Sequence, residues 1–354
     1  MSRRLFTLFA ALVPAVLLLV LATSATVPLV SMGPGPTYDT FGQARVEAED
    51  GEVEEVPVIE VTGRAADETT GSLRMTTVAV RDRLTLLDAM RFWLDPAQVV
   101  VPRDQVFPPD RSRDEVRESN AAEMVGSENS AEAAAYRHLG IPMQPRVEGV
   151  DPSGPVLGRL EPGDIILSID GVQVSDTTEV VEQVSAHRPG DEVRVEYRRD
   201  GREETTTATL AAPGDPDADP DQGRLGIIVG DTPADGTDVT ISVAPDVGGP
   251  SAGLVLAIAI VDRLSPGEST GGADVAGSGT IRPDGTVGSI GGIRHKIRAA
   301  QEVGVTEFLV PAANCAEAVQ NAPDGIRLIE VSTLAGALDA LETAASGAEP
   351  PTCG

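Results

Sequence analysis

No charged side chain occurs from Leu5 through Tyr38, and Leu5–Ala22 within that stretch is a long apolar run. As a helix rising 1.5 Å per residue it is long enough to cross the ~30 Å apolar core of a bilayer. Pro14 inside it is tolerated in a membrane helix, where neighbouring groups re-satisfy the freed backbone. Arg3 and Arg4 precede the run, so the positive-inside rule puts the N-terminus in the cytoplasm and the remainder outside. The expectation is a single-pass transmembrane helix at the cell membrane within residues 1–31, carrying an extracytoplasmic body. A cleaved signal peptide is the alternative, although Thr23-Ser24-Ala25 is a poor small-x-small match and the run is long for such a segment. Both readings export the acidic bulk of the chain.

Export decides how the cysteines read. Cys315 and Cys353 are the only two, and an oxidising compartment favours pairing them. The bridge would close the loop 315–353, worth roughly 4 kcal/mol on the chain-entropy model, and pin the C-terminal tail to the body. Asp+Glu 55 against Lys+Arg 27 gives a formal charge of -28, which a phosphate backbone repels, so no nucleic-acid partner is expected. With three histidines and no HExxH or CxxC run, no metal site is expected. No GxxxxGK[ST] run occurs either, so no nucleotide cofactor is expected. The 354 residues suggest two domains at ~150 residues each, and 41% hydrophobic content supports packed cores.

The pattern along the chain is α+β and multidomain. Residues 32–42, MGPGPTYDTFG, read as a Gly/Pro-rich linker within a juxtamembrane segment 32–138. Val56–Val61 and Leu73–Val80 read as strands, 84–95 as a helix, 102–113 as a loop, and Arg113–Leu139 as a helix stopped by Gly140. Residues 139–210 form a β-rich unit: strands at Val147–Val150, Ile165–Ile169 and Val193–Tyr197, a helix at Thr177–His187, and turns at Asp170-Gly171 and Asp200-Gly201. Residues 211–222, AAPGDPDADPDQ, are a linker by composition. Residues 223–345 alternate strands with helices, including an apolar helix over Ser251–Leu264 and a helix over Lys296–Val303; 346–354 form a tail.

Two residues in the last unit carry chemistry. Ser251 stands in Gly248-Gly249-Pro250-Ser251-Ala252-Gly253 and opens a predicted helix. Free N–H groups and the positive dipole end there can hold an oxyanion, with Gly249, Pro250 and Ala252 as backbone support. A serine N-cap after a glycine loop is the plainer alternative. A hydrolase-type elbow also fits the segment, but His295 is the one histidine that follows, and the preceding strands are too few. Lys296 is the sole lysine; every other basic residue is arginine. Arginine cannot be deprotonated in a protein, whereas a lysine desolvated beside Ile290, Ile293 and Ile297 can serve as a neutral base. A surface lysine at a strand-to-helix turn is the alternative; His295 beside it can tune the lysine electrostatically, although an exposed bystander is the commoner case.

The stretch Gly248–Gly253, followed by Val275–Ile281 and then Val287–Lys296, resembles the proteolytic domain of Lon-type serine peptidases, and residues 297–311 continue the likeness. The resemblance implies that Ser251 is the nucleophile and Lys296 the general base. Gly248 and Ala276 depart from the family, whose ATP-dependent members commonly carry an acidic residue at the first position and a threonine near the second. Residues 139–210 resemble a PDZ domain, most specifically through Leu160-Glu161-Pro162-Gly163-Asp164-Ile165-Ile166-Leu167-Ser168-Ile169-Asp170-Gly171. That resemblance implies a peptide-binding loop at Leu139-Gly140-Ile141, with the peptide added as a strand facing helix 177–187.

Together these features look like the membrane-anchored, PDZ-containing Lon-type proteases of Gram-positive bacteria. The implied function is ATP-independent serine endopeptidase action on exported proteins or peptides. The alternative is an inactive surface scaffold that binds peptide C-termini; a chymotrypsin-like protease is disfavoured by the lack of a His…Asp…Ser order. A homo-oligomer and a monomer are both compatible with the resemblance. Strands 56–61 and 73–80 are further expected to complete the protease sheet around an inserted PDZ unit.

Overall fold

The computed structural model describes residues 3–47, 53–67, 69–108, 111–212, 219–243 and 247–354; side chains of residues 3–11, 47 and 113 lie outside the description. In chain order, helix α1 (Arg3–Ser24) precedes strands β1 (Leu29–Asp39), β2 (Gln43–Glu47), β3 (Val53–Pro57), β4 (Ile59–Thr62) and β5 (Ser72–Arg81). Helix α2 (Leu86–Leu94), β6 (Val99–Pro102) and helix α3 (Arg113–His138) follow. Next come β7 (Met143–Val150), β8 (Ile165–Ile169), β9 (Val172–Gln173), α4 (Thr177–Ser185), β10 (Glu192–Arg199), β11 (Arg202–Thr209) and β12 (Ile227–Pro233). The chain ends with β13 (Asp238–Ile241), α5 (Gly253–Leu264), β14 (Asp274–Gly277), β15 (Thr280–Ile281), β16 (Val287–Gly288), α6 (Ile293–Glu302), β17 (Glu307–Pro311), α7 (Cys315–Asn321), β18 (Arg327–Val331) and α8 (Leu334–Ala345). The fold divides into two compact units, one of residues 1–60, 67–135 and 240–354, the other of 61–66 and 136–239.

The first unit is built on a six-stranded sheet in the order β18-β17-β14-β5-β1-β6. β18, β17, β14 and β5 run parallel, while β1 is antiparallel to both β5 and β6. β14 and β17 are short and largely buried runs, as strands covered on both faces require. Ala276, Phe308 and Val310 pack with Ile293 and Ile297 of α6 and Ala318 of α7. Strand alternation sends Gly277 and Leu309 to the other face, where a Cβ on Gly277 would meet Val255 of α5 at 3.3 Å. Helices therefore cover both faces. Leu254 through Ile260 of α5 are wholly buried, which suits a helix that is apolar all round.

Two sequence expectations change in this unit. Residues 32–42 read as a linker, yet β1 runs through Gly33-Pro34-Gly35-Pro36 and pairs with β5 and β6, its register against β5 shifting between Pro34 and Thr37. The expected strand 73–80 is β5, next to β14, but 56–61 does not join this sheet: Val56 and Pro57 end β3, which pairs with β2, and 59–61 lie in β4, which pairs with β13. Within the expected anchor, α1 is helical over Arg3–Ser24. Among the described residues, however, no helix is long and apolar enough to cross a membrane. The side chains of 3–11 lie outside the description, and residues 12–24 alone rise only about 20 Å, short of an apolar core of ~30 Å.

Cys315 and Cys353 form a disulfide, with Cα atoms 5.1 Å apart. The tail is laid along β18: Glu330 N donates to Pro351 O at 3.0 Å and Cys353 N to Leu328 O at 3.1 Å. The tail expected to be pinned by the bridge thus also adds an edge to the sheet.

The second unit is a sheet in the order β11-β10-β8-β7-β12, with β9 on β8. Its core joins Val147, Leu160, Ile166, Ile169, Val193 and Val195 to Val180 and Val184 of α4. Asp164, 1% exposed, takes two hydrogen bonds of 2.7 Å from the Arg199 guanidinium, so its buried charge is paired by a fork that matches it. By sequence, Leu225–Val229 fell in the last unit; in the structure β12 pairs antiparallel with β7 and is the last strand of this sheet.

Candidate active site

The catalytic-type chemistry gathers where β14 ends. Gly277 closes that strand, Ser278 follows, and a 3₁₀ turn over Pro250–Ala252 leads into α5. Gly249 enters the turn at φ 92°, a conformation that a side chain would strain. Gly292 opens α6 at φ 69°, placing Lys296 one turn into that helix with its N–H on Gly292 O at 3.3 Å.

Lys296 is 4% exposed. Its Nζ lies 2.7 Å from Ser251 Oγ, 2.9 Å from Ser278 Oγ and 3.1 Å from Thr76 O of β5. Burial pushes the ammonium down to a pKa of about 8. The hydrogen-bond directions follow from what each partner can do. Thr76 O only accepts. Ser278 Oγ–H donates to Ser251 O at 2.9 Å, so toward Lys296 it accepts. A neutral amine has two N–H donors and one lone pair; with both donors committed, the lone pair faces the Ser251 hydroxyl. This arrangement can take the Ser251 proton.

The backbone around Ser251 is held from several sides. Gly279 N donates to Ser251 O at 2.9 Å, Gly249 N to Asn120 O at 3.0 Å, and Ser127 Oγ to Pro250 O at 3.1 Å. This corrects the expected oxyanion support. Pro250 has no N–H and that of Gly249 is engaged, so both shape the loop. In a one-turn 3₁₀ helix the third residue, here Ala252, is the first to bond within the turn, whereas the N–H of Ser251 has no acceptor inside it. Gly248, the first of the two departures from the resemblance, packs against α3: a Cβ there would come within 3.0 Å of Asn120 Cβ. His295 is 4% exposed and so no surface bystander. Its burial, with Arg294 beside it, pushes the imidazole below its usual range.

A cleft of about 730 Å³ opens over the dyad, lined by Met32, Tyr38, Met75 and Val78 together with Gly249–Ala252 and Lys296. Ser278 and the Thr76 carbonyl were missed as site residues. Ser278 sits in the quoted Gly277-Ser278-Gly279 run, which could have flagged it; a main-chain oxygen on a distant strand leaves no sequence signal.

The second unit carries a groove of about 750 Å³ between α4 and β12, lined by Val180, Val181, Val184, Leu225, Ile227 and Val229 among others. Thr177 at the head of α4 is fastened to Asp231 of β12 by two bonds of 2.7 Å from its N–H and hydroxyl. Leu139-Gly140-Ile141 does not line this groove. Gly140, at φ 65°, ends α3, Ile141 N donates to Tyr136 O at 3.0 Å, and Ile141 is buried. The same tripeptide recurs at Leu225-Gly226-Ile227, with Gly226 at φ 70°, and that copy faces the groove.

Residues 237–343 match the Lon protease (S16) C-terminal proteolytic domain, and residues 121–210 match a PDZ domain. Lon protease 1 of Sorangium cellulosum (strain So ce56) is 45% identical over 71 residues, 20% of this chain and 8% of that protein. The probable periplasmic serine endoprotease DegP-like of Marinomonas sp. (strain MWYL1) is 40% identical over 81 residues, 22% of this chain and 17% of that protein. Among solved structures, the PDZ domain of the SdrC-like protein from Listeria monocytogenes is 24% identical, covering 24% of this chain and 86% of that one at a TM-score of 0.22. The chain thus spans 17% and 8% of the length of these two curated relatives. The two domain matches place a PDZ domain and a Lon-type proteolytic domain in one chain.

Proposed function

We propose that this chain is an ATP-independent serine endopeptidase acting through a Ser251–Lys296 dyad on exported proteins or peptides. The observation that carries the reading is the buried Lys296 Nζ 2.7 Å from Ser251 Oγ, its pKa brought down to about 8. Neutral Lys296 takes the hydroxyl proton as Ser251 Oγ attacks the scissile carbonyl carbon. The oxyanion meets the Ser251 N–H at the start of the turn. The ammonium then returns the proton to the departing amine, leaving an acyl-serine. Water, deprotonated by the same amine, releases the acid.

The groove between α4 and β12 holds the peptide in this reading, replacing Leu139–Ile141. A strand added along β12 gains main-chain bonds while its side chains meet Val181 and Ile228. The Cys315–Cys353 disulfide supports an oxidising, extracytoplasmic compartment. The run Leu5–Ala22 within α1 supports a membrane anchor that leaves the N-terminus in the cytoplasm.

The test is cleavage of an unfolded protein by the full chain without ATP, beside Ser251→Ala and Lys296→Arg. Activity in the parent and none in either variant is the expected result. A Lys296→Arg protein that still cuts removes the lysine as base; a parent that cuts nothing favours the scaffold reading.

A further inference from the structure

Helix α2 turns its apolar side outward. Leu86, Leu87, Met90, Trp93 and Leu94 are 42, 45, 55, 78 and 76% exposed. Their spacing puts all five on one helical face. The opposite side meets the protein: Ala89 is buried, and the Arg81 guanidinium lies 5.1 Å above the Phe92 ring. A soluble helix ordinarily shows the reverse arrangement, and a contiguous exposed apolar patch marks an interaction surface.

The helix is also rigidly placed. Thr85 and Asp88 form a capping box, Asp88 N on Thr85 Oγ1 and Thr85 N on Asp88 Oδ2, both at 3.1 Å. Leu86 N donates to Ala25 O at 3.2 Å and Val27 N to Leu84 O at 2.9 Å, so α2 begins where α1 ends. The large apolar side chains between Leu12 and Leu21 of α1 are themselves 49–65% exposed. The two apolar surfaces are therefore joined by main-chain bonds.

We infer that α2 is an interfacial helix that lies on the bilayer and seats the catalytic unit against the membrane entered by α1. The inference rests on the anchor in the proposed function. Lipid fits the stripe for three reasons: its continuity with α1, the tryptophan and leucines presented together at its C-terminal end, and exposed Arg91 beside them, a composition suited to the headgroup boundary. The chain's charge of -28 opposes both a second copy and anionic headgroups, so the contact is apolar and zwitterionic lipid suffices.

Trp93 is the only tryptophan, so its fluorescence reports on α2 alone. The full-length protein is reconstituted into phosphatidylcholine vesicles, with and without brominated acyl chains, and titrated with iodide on both sides. Burial of the stripe ~5–10 Å into the boundary predicts blue-shifted emission, about twofold or greater quenching by the brominated lipid, and protection from iodide. The Leu87→Asp/Leu94→Asp protein still floats with vesicles but loses both effects. If the parent floats and Trp93 is quenched by iodide and not by bromine, the anchor stands and this inference falls. If the parent does not float, the anchor reading itself fails. Iodide protection that grows with protein density, without bromine quenching, assigns the stripe to a second copy and overturns the lipid assignment.

Discussion

At the dyad, Lys296 is 4% exposed and each Nζ contact is to an oxygen. Along the groove of the other unit, Ile228 is 66% and Val181 53% exposed. One place excludes water to change the chemistry of a charged group; the other leaves apolar side chains and a strand edge open to gain a partner. The difference teaches where each proposed activity is vulnerable. The dyad depends on the position of single atoms, because a misplacement of ~1 Å can cost 10²-fold in rate. The groove depends on area and edge pairing, which spread over many residues and tolerate more.

The largest separation of the two comes from Ser251→Ala. Cleavage falls by about 10³-fold or more, while a peptide titrated into the groove binds unchanged, as paired kinetics and calorimetry would show. Equal losses in both would break the division. Ser278→Ala removes one acceptor of the Lys296 ammonium and the donor to Ser251 O. A loss of about 10- to 10²-fold in kcat/KM is expected, and the rising limb of the pH profile moves to lower pH, because the charged form loses a partner. A purely structural role for Ser278 would lower activity without moving that limb.

In the parent, the neutral amine is the active form, so activity climbs as pH rises through about 8 and levels above it. At pH 7 roughly a tenth of the lysine is neutral, and kcat/KM therefore gains about tenfold between pH 7 and the plateau. A profile flat across this range would show that Lys296 does not limit the reaction. The smallest effect is Ile228→Asp, on an exposed position: peptide affinity drops about five- to tenfold, and hydrolysis of a small ester by the dyad stays level. Unchanged peptide affinity would move the binding site elsewhere.

The disulfide, the Ser251–Lys296 pairing and most of the strands and helices were legible because each is written in residue type. One lysine, two cysteines and glycine-punctuated apolar runs leave few alternatives. The linker reading of 32–42 failed for a physical reason. Gly33-Pro34-Gly35-Pro36 lacks alternation, and only pairing with β5 makes it a strand. There Gly35 is required: a Cβ on it would come within 2.8 Å of the Thr77 carbonyl carbon and 2.9 Å of Ala79 N.

The two Leu-Gly-Ile runs mark the limit most plainly. Leu139-Gly140-Ile141 and Leu225-Gly226-Ile227 are identical in sequence, and both glycines have positive φ. Residue identity determined the turn in each. Tertiary structure alone decided their roles, because the first leads into β7, a strand paired on both sides, and the second into β12, a strand paired on one. The same holds for the dyad. Sequence nominated Ser251 and Lys296, but the direction of the lysine lone pair depends on a serine just past the end of β14 and a main-chain oxygen of β5, and no local pattern encodes that meeting.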